Sequence, residues 1–333
     1  MHGPPLGRRT DADRDNGKPR PEEPTIYTSP TPPRPRRTRR RAARPLAITG
    51  IVLLIAVVCT WVPGPVGTAG AAALPWLGVA LAAVVLTALV LARRVLVLLL
   101  VPVLVWVLAM APALPGAGAP GEQSLVVMSQ NVRAQSGGAA ASAQELADSG
   151  ADVIALVELD GDSLAAARET LAASYPHSYA VGTVAIWSRY PLSHGEPLAL
   201  GLPWNRALRV TVQAPESAVE LYVVHAASVR PGHQDGRDRM LAEMARTVAD
   251  DPAPSIVVVG DFNASSTDPA LAPLRSQLDW VRPTDGSLGF TWPASLPLAR
   301  IDQVFTRGVA VHSSTTERAG NSDHLATRTV LAR

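Results

Sequence analysis

The chain has 333 residues, 47% of them hydrophobic, and a formal net charge of +2. It is too apolar to be disordered throughout, and a single cysteine excludes a disulfide-stabilised scaffold. The charge divides by region, with 12 basic and 5 acidic groups in residues 1–44 but 16 basic and 23 acidic groups in residues 122–333. The largest segment is therefore acidic, which argues against a broad basic nucleic-acid-binding face on it.

Residues 1–44 are predicted to form a disordered, basic cytoplasmic tail. They are rich in Pro, Arg, Thr and Asp and contain few apolar residues, so the segment cannot bury enough surface to offset its chain entropy. The arginine-rich run at 34–41 could bind nucleic acid or anionic lipid. Basic segments that flank transmembrane helices are usually cytoplasmic, which favours the interpretation that this run sets the orientation of the chain in the membrane.

Three charge-free apolar runs follow, at residues 46–62, 71–92 and 95–111. Each approaches or reaches the roughly 17–25 residues that a transmembrane helix needs. The tail and the turn at Arg93–Arg94 should stay in the cytoplasm, because short basic loops do. Three crossings then place the rest of the chain outside, as in a multi-pass protein of the cell membrane. A cleaved signal peptide in the first run and three buried core helices are the alternatives.

Residues 112–121, rich in Pro, Gly and Ala, are predicted to be a linker, and residues 122–333 one α/β domain. Short β-branched runs alternate there with Ala-, Leu- and Glu-rich helical stretches. The predicted helices are 142–148, 163–173 and 237–249, and the predicted strands are 125–128, 153–157, 184–187, 208–212, 219–224, 256–259, 301–305, 309–312 and 325–330.

Polar side chains occur at the ends of six of these strands, in the sequences QNVR, LVELD, VVHA, VGDFNAS, RIDQVF and NSDH. If the strands pack side by side, these ends converge on one rim. Asp, Glu, Asn and His on a rigid sheet edge suit a hard divalent cation and a phosphate. Taken singly, each residue could be an ordinary turn, cap or core residue. Their joint occurrence favours a site.

This ordered set of motifs resembles the endonuclease/exonuclease/phosphatase superfamily, and within it the deoxyribonuclease-I-like enzymes. The resemblance covers most of residues 124–330. It implies an α/β (α+β) fold in which two packed β-sheets are flanked by helices as a four-layer sandwich, here preceded by three transmembrane helices. It also implies phosphoester hydrolysis that depends on Mg²⁺ or Mn²⁺.

The resemblance assigns the metal site to three residues. Glu158 matches the main metal ligand of the family, Asn131 the residue that joins or supports this site, and Asp323 a residue on the metal side. Asp261 matches the group that orients or deprotonates the attacking water.

The remaining matches concern the phosphate. Asn263 would hold a phosphate or transition-state oxygen, and His324 would contact the scissile phosphate with Asp302 as its orienting carboxylate. His225 would face the phosphate as a second imidazole. The general base stays open between Asp261 and the His324–Asp302 pair.

Arg133, Arg206, Arg230 and Trp292 are weaker candidates for substrate contacts, and Trp292 could equally be a packing residue. The predicted function is a membrane-anchored, extracytoplasmic, metal-dependent phosphodiester hydrolase of nuclease-like type. The acidic domain keeps open an alternative in which the substrate is a lipid head group or a sugar phosphate. A binding module that has lost its activity is the third possibility.

Overall fold

Three long helices include the apolar, charge-free runs of the sequence. In a computed structural model that describes residues 36–215, 217–230 and 234–332, they are α1 (Arg36–Cys59), α2 (Pro65–Leu91) and α3 (Leu96–Met110). All three regions are long and apolar enough to cross a membrane. Residues 1–35, most of the predicted disordered tail, lie outside the described residues.

The helix boundaries differ from the predicted runs at the amino ends of α1 and α2. α1 begins at Arg36, inside the predicted tail, because Arg and Ala favour helix over the stretch that precedes the apolar run. α2 begins at Pro65 rather than at residue 71, because proline fits the first turn of a helix, where its missing N–H is not needed.

The domain that follows contains two six-stranded sheets, with strand orders β11-β12-β1-β2-β4-β3 and β5-β6-β7-β8-β10-β9. The strands are β1 (Gln123–Asn131), β2 (Val153–Val157), β3 (His177–Val181), β4 (Val184–Ser188), β5 (Leu192–Leu198), β6 (Ala207–Gln213), β7 (Ala218–His225), β8 (Ile256–Asp261), β9 (Asp279–Trp280), β10 (Asp302–Arg307), β11 (Ala310–Glu317) and β12 (Ala326–Ala332). The helices are α4 (Ala139–Asp148), α5 (Gly161–Leu171), α6 (Asp235–Asp250) and the single turn α7 (Ala272–Arg275).

Apolar side chains on the inner faces of the two sheets form a shared core, with Val127, Val157, Val223 and Val259 among its members. The outer face of the first sheet packs on α4 and α5, and the outer face of the second packs on α6 and α7. The domain is therefore a four-layer sandwich, as the sequence predicted.

Three strands escaped the sequence analysis because they lie at sheet edges and are only partly buried. β3 pairs only with β4, the two-residue β9 pairs only with β10, and β5, which contains His194, Glu196 and Pro197, pairs only with β6. A strand that is only partly buried on its inner face lacks the apolar run or alternation by which strands are recognised, and proline is tolerated at an edge.

The predicted linker is hydrogen-bonded to the domain. The backbone N–H of Gly116 donates to the carbonyl of Pro283 at 2.8 Å, and that of Ala119 donates to Val311 at 2.7 Å. Ala113, at the end of a short 3₁₀ turn after α3, is buried. The chain between the helical bundle and the domain is thus held at several points.

Candidate active site

The pairing of the strands brings distant polar residues to one edge of the sandwich. β1 and β2 are parallel, so Asn131 ends one strand beside Val157, directly before Glu158. In the second sheet β7 and β8 are also parallel and place His225 beside Asp261, while antiparallel β10 places Asp302 on the other side of Asp261. The rim predicted from the strand ends is present.

Asn131 connects two carboxylates at the centre of this rim. Its Nδ2 donates to Oε2 of Glu158 at 2.7 Å and to Oδ2 of Asp261 at 3.0 Å. Its Oδ1 accepts from the backbone N–H of Arg133 at 2.9 Å. In this arrangement Asn131 orients both carboxylates, which suits the supporting role that the resemblance implied.

The turn after β8 is shaped by its glycine and its asparagine. A Cβ at Gly260 would lie 2.0 Å from the carbonyl oxygen of Val224, so only glycine fits beside β7. The backbone N–H of Asn263 donates to Oδ1 of Asp261 at 2.8 Å, and Asn263 Nδ2 donates to the carbonyl of Ala226 at 3.1 Å. Asn263 has φ of 48° and Glu158 has φ of 61°, a left-handed conformation that often marks functional sites.

His324 and Asp302 form a buried pair. Nδ1 of His324 lies 2.9 Å from Oδ2 of Asp302, and both side chains are almost completely buried. The hydroxyl of Ser322 accepts from the backbone N–H of His324 at 3.0 Å and donates to the carbonyl of Asn131 at 2.5 Å. The imidazole is therefore fixed relative to Asn131.

His225 lies at the end of β7, where Asp261 separates it from Asp302. Its Nδ1 is 3.0 Å from Oγ1 of Thr183, and its Nε2 is 3.8 Å from Oε2 of Glu158. The guanidinium of Arg206 lies within 2.9 Å of both ring nitrogens. The two histidines therefore have different electrostatic surroundings, one beside a carboxylate and the other beside an arginine.

The pKa values of His225, His324 and Asp261 are shifted by these surroundings. Burial, together with the charges of Arg206 and His324, lowers the pKa of His225 to about 3. Burial also lowers the pKa of His324, but the charge of Asp302 and its hydrogen bond outweigh it and raise the pKa to about 9. Burial and the neighbouring charge of Asp302 raise the pKa of Asp261. At neutral pH His225 is therefore neutral and His324 is an imidazolium.

A cleft of about 650 Å³ is lined by Asn131, Glu158, Asp261, Asn263 and His324. Arg230 and Trp292 line it, and both are exposed. Arg206 reaches the site through its contact with His225. Arg133 is exposed and contributes its backbone N–H to Asn131.

Asp323 is the predicted site residue with the weakest structural support. It is partly exposed, and its backbone carbonyl accepts from the N–H of Ala294 at 2.7 Å. Its charge makes a small contribution to raising the pKa of His324. Its predicted place on the metal side stays a prediction.

The donor set fits a hard divalent cation. Carboxylate oxygens of Asp261 and Asp302 lie within 4.8 Å of each other, and the half-exposed carboxylate of Glu158 is joined to Asp261 through Asn131. Carboxylate oxygens dominate this set, and oxygen-rich sites favour Mg²⁺ and Mn²⁺ over softer metals.

Several residues that shape the site gave little signal in the sequence. Thr183 contacts His225, and Arg237 donates to the carbonyl of Asn263 at 2.9 Å from a fully buried position on α6. Arg237 looked like an ordinary charged residue at the start of a helix. Ser322, by contrast, belonged to the NSDH motif.

Comparison with known proteins is consistent with this geometry. Residues 128–324 match the Endonuclease/Exonuclease/phosphatase family. No curated protein matches the chain. Among solved structures, humanized D. rerio TDP2 shares 19% identity, with a TM-score of 0.54 over 64% of this chain and 100% of that one. Truncated Caenorhabditis elegans TDP2 shares 18% identity, with a TM-score of 0.53 over 63% of this chain and 98% of that one.

An endonuclease/exonuclease/phosphatase from Bacteroides vulgatus shares 17% identity, with a TM-score of 0.52 over 63% of this chain and 99% of that one. At these identities the structural likeness shows the fold alone. The family match covers more than half of the chain and includes every predicted catalytic residue from Asn131 to His324. The chain belongs to the endonuclease/exonuclease/phosphatase family.

Proposed function

We propose that this protein is a membrane-anchored, divalent-metal-dependent phosphodiester hydrolase. The observation that carries the proposal is the convergence of carboxylate, amide and imidazole groups from both sheets on one cleft. Hydrolysis adds water to phosphorus and breaks a bond from phosphorus to an ester oxygen, so the site must accept one proton and stabilise negative charge.

Asp261 is the proposed proton acceptor. Its raised pKa brings the carboxylate closer to the proton affinity needed to take a proton from water near neutral pH. Its Oδ1 is held by the backbone N–H of Asn263 and its Oδ2 by Asn131. The carboxylate is thus fixed in one orientation.

His324 and Asn263 are the proposed stabilisers of phosphate charge. His324 carries a positive charge at neutral pH because Asp302 stabilises it. Nδ1 is occupied by Asp302, which leaves Nε2 to donate toward the cleft. Nδ2 of Asn263 donates to Ala226 and, over a longer distance of 3.3 Å, to Oδ2 of Asp261. The second of these N–H groups is the one proposed to turn to a phosphate oxygen in the transition state.

Glu158 is the proposed principal metal ligand, with Asn131 holding its carboxylate in place. A divalent cation bound there would neutralise charge on the phosphate and on the departing oxygen. His225, neutral and 3.8 Å from Glu158, is the proposed hydrogen-bond partner of a phosphate oxygen on that side.

The domain is proposed to lie outside the cytoplasm. It contacts the bundle at the ends of α2 and α3 near Pro65 and Met110, whereas Arg93 and Arg94 lie at the other end of α2. Basic turns favour the cytoplasmic side. In a Cys59→Ala background, a membrane-impermeant maleimide added to intact cells should label Ser149→Cys and not Ser29→Cys; the reverse pattern would contradict this orientation.

Nucleic acid is one candidate substrate class. A structure of D. rerio TDP2 in complex with a single-strand DNA product shares 18% identity with this chain and has a TM-score of 0.54. The net acidic charge of residues 122–333 weighs against tight binding of a long polyanion.

The test is hydrolysis of bis(4-nitrophenyl) phosphate by the purified full chain with Mg²⁺ or Mn²⁺. We expect turnover that a chelator abolishes and that Asp261→Asn lowers by about 10³-fold or more. Asp250→Asn, the same change at an exposed position of α6, is the matched control and should leave the rate unchanged. Turnover that resists chelation, or that survives in Asp261→Asn, would refute the proposal.

A further inference from the structure

One wall of the catalytic cleft is formed by the transmembrane helix α2. Pro65, Thr68, Ala69 and Ala72 line the same cleft as Glu158, Asp261, Asn263 and His324. The spacing of these four residues places them on one face of the helix. The outer end of a membrane span is therefore part of the catalytic pocket.

The helix is attached to the catalytic turn through a buried arginine. Oγ1 of Thr68 accepts from Nη2 of Arg237 and from Nε2 of Gln234, both at 2.8 Å. Nη1 of the same arginine donates to the carbonyl of Asn263 at 2.9 Å and to Asp268 at 2.7 Å. Arg237 is fully buried, so the distance between α2 and the Asp261–Asn263 turn is fixed.

The length of α2 places the cleft at the level of lipid head groups. Its 27 residues give about 40 Å of helix. With Arg93 and Arg94 at the cytoplasmic interface, as proposed above, a hydrocarbon core of about 30 Å leaves about 10 Å, close to the first seven residues of α2, in the head-group layer on the other side. Pro65, Thr68 and Ala69, which line the cleft, belong to those residues.

A loop of the domain extends along α2 toward the apolar layer. Trp76 Nε1 donates to the carbonyl of Leu298 at 3.1 Å, and its ring lies 6.0 Å from that of Phe290. Trp76 is about 16 Å along the helix from Pro65. The loop at 290–298 therefore reaches past the cleft to the outer part of the hydrocarbon core, next to the boundary where tryptophan is enriched.

Most of the exposed apolar side chains of the domain lie at the cleft or on the loop beside α2. Among the described residues from 122 onward, the large hydrophobic side chains that are clearly exposed are those of Trp204, Val229, Trp292, Leu296 and Leu298. Val229 and Trp292 line the cleft, and Leu296 is 65% exposed at the end of the loop beside α2. Clustered exposed apolar residues next to a membrane span indicate contact with the bilayer.

We propose that the substrate of this site is the head-group phosphodiester of a membrane phospholipid, which enters the cleft from the bilayer surface beside α2. The inference rests on the proposed phosphodiesterase function and assigns its substrate class. One water is consumed, a phosphorus–oxygen bond to the water oxygen forms, and the bond to an ester oxygen breaks. That oxygen leaves with a proton, so the products are a phosphomonoester and an alcohol.

The test measures the rates at which the full chain, in nanodiscs of phosphatidylglycerol and phosphatidylcholine with Mg²⁺, hydrolyses four kinds of substrate. They are the nanodisc lipids, the chain-free analogues glycerophosphoglycerol and glycerophosphocholine, single-stranded DNA, and bis(4-nitrophenyl) phosphate. At equal phosphate concentration we expect the lipids to be hydrolysed at least about tenfold faster than the analogues and the DNA. The reason is that anchoring in the bilayer raises the local concentration of lipid phosphodiester at the cleft.

Each other outcome has a definite meaning. Equal or faster hydrolysis of the analogues or of DNA overturns the lipid assignment. Turnover of bis(4-nitrophenyl) phosphate without lipid hydrolysis also overturns it and leaves the proposed function intact. Absence of turnover with all four substrates refutes both.

A matched pair of variants tests the route of entry. Leu296→Asp places a negative charge on the loop beside α2. Ser149→Asp adds the same charge at an exposed position that precedes β2, at the end of this strand away from Glu158. The ratio of lipid to bis(4-nitrophenyl) phosphate hydrolysis should fall by about tenfold in Leu296→Asp and stay constant in Ser149→Asp. An unchanged ratio in both variants would contradict entry along this loop.

Discussion

Nδ1 of His324 lies 2.9 Å from a carboxylate oxygen of Asp302, and neither side chain is more than a few per cent exposed. A charge pair with so little access to water is held together by strong electrostatic attraction, and removing one partner is costly. In the proposed site, the pair keeps a positive charge next to the phosphate across the physiological pH range.

Asp302→Asn should move the pH dependence of activity to lower values. In the wild type, the charge of Asp302 raises the pKa of His324 to about 9, so kcat/KM should fall as the pH rises through that value. Without this charge, burial lowers the pKa of His324 and only the smaller contributions of Asp261 and Asp323 raise it, so the decline should begin at a lower pH than in the wild type. A pH–rate profile with bis(4-nitrophenyl) phosphate measures the shift, and an alkaline limb that does not move would contradict the assignment.

Asn263→Ala and Asn263→Gly separate catalysis from backbone strain. Both lack the amide donor, so both should lower kcat by about 10²–10³-fold. Only alanine is strained at φ of 48°, so Asn263→Ala should be less stable than Asn263→Gly by about 1 kcal/mol. Steady-state kinetics and urea unfolding of the same preparations measure the two effects. Full activity in either variant would exclude a role for the amide.

Glu158→Gln should weaken metal binding. The amide keeps the size of the side chain but lacks the charge, and the concentration of Mg²⁺ for half-maximal activity should rise by about 10–100-fold. Glu169→Gln, at an exposed position of α5, is the matched control. A metal titration that is the same for wild type and Glu158→Gln would remove Glu158 from the metal site.

Arg237→Met should destabilise the domain and loosen its attachment to α2. Asp268 would remain buried without its partner, which costs about 3–5 kcal/mol. Arg239→Met makes the same change two residues away at an exposed position and should alter the free energy of unfolding by less than about 0.5 kcal/mol. Equal stability of the two variants in urea titrations would show that the buried contacts of Arg237 contribute little.

The parts of the molecule that the sequence predicted share a local signal. The three long apolar helices were visible because charge is missing from three long runs. The rim of the site was visible because polar residues follow apolar strands where these end. Three acidic residues lie at the ends of buried strands: Glu158 directly follows β2, Asp261 ends β8 and Asp302 begins β10. A charged residue in such a position needs a specific partner.

What the sequence did not reveal depends on contacts between distant segments. Thr68 is a single hydroxyl in an apolar run, and Arg237 is one of several charged residues at the start of α6, yet their side chains meet across 169 positions of the chain. Nothing local distinguishes them from their neighbours. The edge strand β5 was missed for a different reason. It is only partly buried, so its sequence can be polar and lacks the apolar pattern of a strand.

The rim of residues from Asn131 to His324 is proposed to catalyse the attack of water on the phosphorus of a phosphodiester. Hydrolysis of bis(4-nitrophenyl) phosphate in ¹⁸O-labelled water with Mg²⁺, by the wild type and by Asp261→Asn, tests this directly. We expect one ¹⁸O atom in each 4-nitrophenyl phosphate released by the wild type, and almost no product from Asp261→Asn. Label in 4-nitrophenol, or equal turnover by the two proteins, would contradict it.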